Sequence, residues 1–221
     1  METSKRYEVY VLDKLRWPFG GKNPLIKCGQ STEDVDPFPG YAHPLTLVEE
    51  GLEHVTKVFP VGGDPVQCFV LQYEVIARTN GHASKWYGRK DGEFKPYIVL
   101  SGKRIPPMPS MTRYLTAHEY GHVVDMWICQ QMGCEEDFPL TKFDREYAEV
   151  RGIEPEGAYG GGEWHKNIGE IIANDFRVLM CNVEVDFWPH PCTHPLLIKS
   201  SGLQDYWREL LDKYGSKTES E

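Results

Sequence analysis

The chain has 221 residues, 40% of them hydrophobic and 26% charged, with a formal net charge of −9. This is enough chain to bury one large core without disulfide or metal staples, and the composition is that of an ordinary globular protein. The acidic balance advertises no basic face for phosphates, and no window approaches a run of about eighteen apolar residues, so neither nucleic acid nor membrane is expected as a partner.

Met1-Glu2-Thr3-Ser4-Lys5-Arg6 is not followed by the apolar core of a signal peptide. A cytoplasmic location is the expectation, with export by a leaderless route left open; nothing in the composition sets the oligomeric state. The cysteines at 28, 68, 129, 134, 181 and 192 form no Cys-x-x-Cys pair. They are too sparse for a disulfide framework, so reduced and mostly buried thiols are expected.

Taken in order, Tyr7 to Leu12 reads as a strand, and Trp17 to Pro44, rich in Gly and Pro, reads as irregular surface. Val48, Leu52, Val55 and Phe59 recur at helical spacing until Pro60 ends the pattern. Val66 to Ala77 is dense in β-branched and aromatic residues and closes on Asn80-Gly81. Lys85-Trp86-Tyr87 and Phe94 to Ser101 are further strand candidates around the turn signal Asp91-Gly92, which gives the set an antiparallel look.

The proline-rich Arg104 to Pro109 must be a connector. Ser110 or Thr112 then caps a helix that runs to about Gln130 and stops at Gly133. Three more helices are expected, over Thr141 to Arg151, Trp164 to Met180 and Leu203 to Tyr214, with the glycine loop Ala158 to Gly162 before the second. The expected architecture is a single α+β domain over 1–221: an irregular region at 1–43, helix, strands and motif helix at 44–131, a helical C-terminal lobe at 132–215, and a tail at 216–221.

The long helix carries His118-Glu119-Tyr120-Gly121-His122. Two His four residues apart on a helix stand about 40° apart on one face, so both imidazoles can reach one metal ion while the Glu between them addresses a water. A catalytic zinc site normally takes three protein ligands. The His-Glu-x-x-His-x-x-Gly-x-x-His solution fails, because Asp125 stands where Gly is required and Ile128 where the third His is required. Glu170, on the helix expected after the glycine loop, supplies the alternative, with Asn174 one turn later on the same face.

With these residues the chain resembles the gluzincin zinc metallopeptidases. Tyr159-Gly160 followed by Glu170-x-x-Ala173-x-x-Phe176-Arg177 is similar, within that group, to the anthrax lethal factor catalytic domain and the Pro-Pro endopeptidases. The resemblance covers roughly Leu115 to Met180. It implies a zincin-like fold, with a small mixed sheet packed on the active-site helix, and one zinc ion held by His118, His122 and Glu170. It also implies Glu119 as general base, a peptide or protein substrate, and Tyr159 as the hydroxyl that steadies the oxyanion. The interval from Tyr159 to Glu170 is longer than in the family, and its extra residues include His165, a second candidate for the oxyanion role.

Two rival functions share these residues: a non-catalytic binding module on a zincin fold, and a zinc hydrolase of a non-peptide amide. For a peptide substrate, Lys85–Tyr87 and Phe94–Ser101 are the candidates for β-addition, the alternative being ordinary edge or core strands. Asp125 is either a partner for a ligand imidazole or a solvated helix acid. His190, Cys192 and His194 form a cluster whose flanking prolines oppose a preformed second metal site. His43, His54 and His82 are expected in surface or capping roles.

Overall fold

The structure is a computed structural model that describes residues 5–12, 38–39, 41–74, 81–85, 93–103, 106–134, 140–154, 167–183 and 201–216. Strand β1 (Tyr7–Leu12) pairs in parallel with β3 (Val66–Leu71), and β3 pairs in parallel with β6 (Pro96–Leu100). Strand β5 (Gly81–Lys85) runs antiparallel to β6 and ends the sheet, whose order is β1-β3-β6-β5. A short pair, β2 (Phe38–Pro39) with β4 (Tyr73–Glu74), stands apart from it.

The sheet is therefore mixed, and the antiparallel look of the sequence applies only to β5 against β6. A parallel pair needs a crossover, which α1 (Leu45–Val58) supplies between β1 and β3. The run from Val66 is split between two sheets: β3 stops at Leu71, Tyr73–Glu74 pairs with β2, and 75–77 lie outside the described residues. Strands β3 and β6 alternate in the expected period of two. Cys68, Val70, Ile98 and Leu100 enter the core shared with the helices, and Phe69 turns to the other face, where it meets Tyr10 and Tyr97. Both faces of these central strands are buried, which fits their near-continuous apolar character.

Helix α2 (Pro109–Met132) is the axis of the molecule, packed against α1, β5, β6, α3 (Lys142–Arg151), α4 (Ile168–Asp175) and α5 (Ser201–Tyr214). Every residue from Leu115 to Gly121 is buried, as befits a helix enclosed on all sides. Its N-cap is Met108 with Pro109 in the first turn, rather than Ser110 or Thr112. Thr112 lies inside the helix, and its hydroxyl hydrogen-bonds the Nδ1 edge of His43 at 2.9 Å. His43 is accordingly buried, at 1% exposure, and not on the surface as expected. Gly133 closes the helix in the left-handed region, φ 65°, a conformation that costs a residue with a Cβ about 1 kcal/mol or more.

Helix α3 begins in a capping box, with Thr141 and Asp144 each bonding the other's backbone N–H. Helix α4 is capped by Asn167, and at Phe176 it widens into a π-helical turn, Phe176–Met180. The expected helix from Trp164 to Met180 is thus two elements of different pitch, and 164–166 lie outside the described residues. Phe59, Phe176 and Trp207 meet at ring separations of 5.6 to 6.5 Å and join α1, the π turn and α5. Trp127 donates to the Tyr214 carbonyl at 2.7 Å and packs on Phe94.

One contiguous core collects residues from Tyr7 to Leu210. Cys68, Cys129, Cys134 and Cys181 are free and buried, as expected; Cys28 and Cys192 lie outside the described residues. Among the described residues, no helix is long and apolar enough to cross a membrane.

Candidate metal centre

The crossing of α2 and α4 builds the site. Gly121 sits at that crossing, where a Cβ would fall 2.7 Å from Ala173 Cα and 2.8 Å from its carbonyl oxygen. Only hydrogen at this position lets the two backbones come so close. The close approach brings Glu170, in the first turn of α4, under the two histidines of α2.

His118 Nε2 lies 3.1 Å from Glu170 Oε2, and His122 Nε2 lies 3.6 Å from Glu170 Oε1. The two imidazoles are almost perpendicular, at 87° with centroids 4.9 Å apart. One ligand atom from each of the three residues lies within 4.8 Å of the others, so this group could hold a metal ion. Two ligand atoms bound about 2.0–2.1 Å from one tetrahedral ion stand roughly 3.4 Å apart, the scale of both measured separations. The donor set of two imidazoles and a carboxylate suits a borderline-soft divalent ion. His118 is almost wholly enclosed, whereas the His122 and Glu170 side chains keep 20% and 16% exposure, so solvent reaches the group on that side.

Without a metal ion the four polar groups settle their charges among themselves. Burial lowers His118 to about 4, and it is neutral. Burial also opposes the charged form of His122, but the hydrogen bond to Glu170 and the fields of Glu170, Glu119 and Asp125 outweigh it and raise His122 to about 9. For Glu170 burial acts upward and is overcome by bonds to His118 and His122, which hold the carboxyl well below its usual range. Glu119, 5% exposed, is raised by burial to about 8 and carries its proton at neutral pH. The metal-free centre is therefore a His122 cation paired with a Glu170 anion, beside a neutral His118 and a neutral Glu119.

No family model, curated protein or solved structure matches this chain.

The residues around the ligands divide cleanly. Asn174 stays with the site: its Nδ2 donates to the Glu170 carbonyl at 2.9 Å, and its Oδ1 accepts from Tyr114 at 3.4 Å and Arg177 at 3.3 Å. Asp175 faces the other way, accepting from Arg151 at 2.5 and 2.9 Å and from Tyr147 at 2.8 Å, while Trp207 donates to the Tyr147 hydroxyl at 3.1 Å. That buried network moors α4 to α3 and α5. Asp125 is partly buried and accepts from Cys129 Sγ at 3.6 Å; burial, then Asp144, raises it to about 7. It is not the solvated acid of the simpler expectation, and its charge still reaches His122.

His54 bonds the Cys181 carbonyl at 3.0 Å, in keeping with the capping role expected of it. Tyr159, His165 and the cluster of His190, Cys192 and His194 lie outside the described residues. Sequence reading gave Gly121 and Tyr114 no role and quoted Ala173 and Arg177 only as parts of a motif. A signal existed in each case: a small residue at the crossing, an aromatic ring one turn before His118, and an Arg two turns after Glu170.

The charge settlement has a pH consequence. His122 is raised above its unfolded value, so its contribution to stability is full below about pH 6.5 and is lost as pH rises through about 9. Glu119, kept protonated in the fold to about 8, costs stability increasingly above its unfolded value near 4.5. Both effects weaken the metal-free protein with rising pH, and a metal ion competes with the His122 proton. The rise in melting temperature produced by a divalent ion over chelator is thus expected to be larger at pH 8.5 than at pH 6. Equal shifts at both would contradict the assigned charge states.

Proposed function

We propose that this chain is a zinc-dependent metallopeptidase of gluzincin type on a zincin-like fold. The observation that carries the reading is the meeting of His118, His122 and Glu170 from two crossing helices, with Glu119 buried beside them on the same helix as the two histidines. Those three side chains would hold the ion, and zinc there would supply Lewis acidity to water and to the scissile carbonyl. Every other part of the chemistry falls to the chain.

Glu119 is enclosed and placed as neighbour to His118 along α2, and its carboxyl is tuned upward from the ordinary range. A carboxylate that titrates near the working pH can take a proton from the attacking water and return it to the leaving amine. The oxyanion donor is assigned to the glycine-rich segment, to Tyr159 or His165.

A peptide substrate fits β-addition at the sheet edge beside α2. Of the candidate Lys85–Tyr87 only Lys85 is among the described residues, as the last residue of β5, and 86–87 lie outside them. Strand β6 is paired on both sides, by β3 and β5, so Phe94–Ser101 has no free edge to offer. Strand β5 ends the sheet among the described residues and packs against α2. A peptide laid along it would pass close to the helix that carries the ligands.

The test has two parts. Purified protein is expected to bind about one equivalent of zinc. An unbiased peptide library is then expected to be cleaved by the zinc-loaded protein and not by protein stripped with chelator. Zinc bound without cleavage would favour a binding module, and cleavage confined to non-peptide amides would move the substrate class.

A further inference from the structure

Tyr114 stands one turn before His118 on α2, and the two rings are parallel to within 4°, with centroids 5.9 Å apart. Residues four apart share a helix face, but parallel rings require the side-chain torsions of both to be held. The Tyr114 ring also carries the Arg177 guanidinium over its face, 4.3 Å from the ring centroid. His118 and Arg177 thus both pack on the Tyr114 ring.

Arg177 lies within the π turn that follows α4, where the Cys181 N–H bonds back to the Phe176 carbonyl. Such a turn re-aims the side chains after it, and turns of this kind occur mostly where a side chain has a task. The guanidinium is fixed at both ends, donating through Nη1 to the Val183 carbonyl and through Nη2 to Asn174 Oδ1 at 3.3 Å. The Tyr114 hydroxyl donates to that same oxygen at 3.4 Å, and Asn174 in turn holds the Glu170 carbonyl at 2.9 Å. The edge of the stack is therefore tied to the backbone of the third ligand.

We propose that Tyr114, backed by Arg177, is the positioning residue of His118: its ring face sets the imidazole plane and keeps Nε2 on the side of Glu170 and His122. This inference rests on the reading of the site as a metal centre. A stack that served packing alone would alter the stability of the metal-free protein when removed, with no separate effect on the metal.

The experiment compares wild type, Tyr114→Phe and Tyr114→Leu by zinc affinity against a competing chelator, by the visible absorption of the cobalt(II) protein, and by metal-free melting. The Phe variant keeps the ring face and is expected within about threefold of wild-type affinity with an unchanged cobalt spectrum. The Leu variant is expected to lose roughly tenfold to a hundredfold in zinc affinity and to shift the cobalt bands. Should the Leu variant fail to fold, Arg177→Met removes the planar backing and is expected to shift the same bands. Wild-type affinity and spectrum in the Leu variant, or in Arg177→Met where it replaces Leu, would overturn the proposal. Equal losses in Phe and Leu would also overturn it, by assigning the effect to the hydroxyl bond with Asn174. Wild-type protein that binds neither metal would remove this inference together with the metallopeptidase reading, whereas metal-binding wild type with unaltered variants removes this inference alone.

Discussion

Glu119→Gln is expected to leave zinc content at the wild-type level and to lower peptide hydrolysis by about 10²-fold or more, the usual scale for a positioned acid or base. Glu119 is not among the residues whose ligand atoms converge, so its amide should not cost the ion a partner. The substitution is nearly isosteric, which matters at a position with 5% exposure. It replaces a carboxyl raised to about 8 with a group that accepts no proton in the working range. The packing cost should also be small, because the carboxyl already carries its proton in the metal-free fold. Metal content and cleavage rate, measured on the same preparation, check the result. Undiminished turnover would refute the assigned base, and lost zinc would move Glu119 into the ligand set.

Gly121→Ala is expected to damage the site from behind. The added Cβ would stand 2.7 Å from Ala173 Cα, 2.8 Å from its carbonyl oxygen and 3.1 Å from its Cβ. Backbone atoms cannot swing aside as a flexible side chain can, so α2 and α4 must separate. Overpacking of this kind costs about 1–3 kcal/mol. Those two helices carry opposite sides of the ligand set, with His118 and His122 on one and Glu170 on the other. A displacement of about 1 Å at a reacting centre can lower a rate roughly 10²-fold, and weaker zinc binding is expected with it.

Gly202→Ala serves as the control, since a Cβ there meets nothing within 4 Å. Melting temperature and zinc affinity of the two variants decide the matter. A Gly121→Ala protein that matches wild type in both would show that the crossing has slack.

Much of the chemistry was legible because it is local. The spacing of His118 and His122 is a property of one helix, and so is the stop at Gly133. Glu170 was reachable by the same logic once its helix was recognised. Its neighbours were harder. Asn174 and Asp175 are adjacent in sequence, yet about 100° apart around a helix axis, so Asn174 bonds within the site and Asp175, 8% exposed, joins a buried network with Arg151 and Tyr147. The sheet misled for a related reason: turn signals report which strands are joined by tight turns, and parallel pairing of β1, β3 and β6 is made by partners far apart in the chain.

The boundary between the two kinds of knowledge is thus a matter of range. Backbone periodicity, caps and prolines act over a few residues, and they suffice to place His118, Glu119, His122 and Glu170 on helices. Which faces meet depends on close packing between distant segments. The contact of Gly121 with Ala173, the burial that raises Glu119, and the packing of Arg177 on the ring that Tyr114 presents beside His118 exist only once α2 and α4 have crossed. A helix wheel shows where a side chain points; it takes the neighbouring helix to say what lies there.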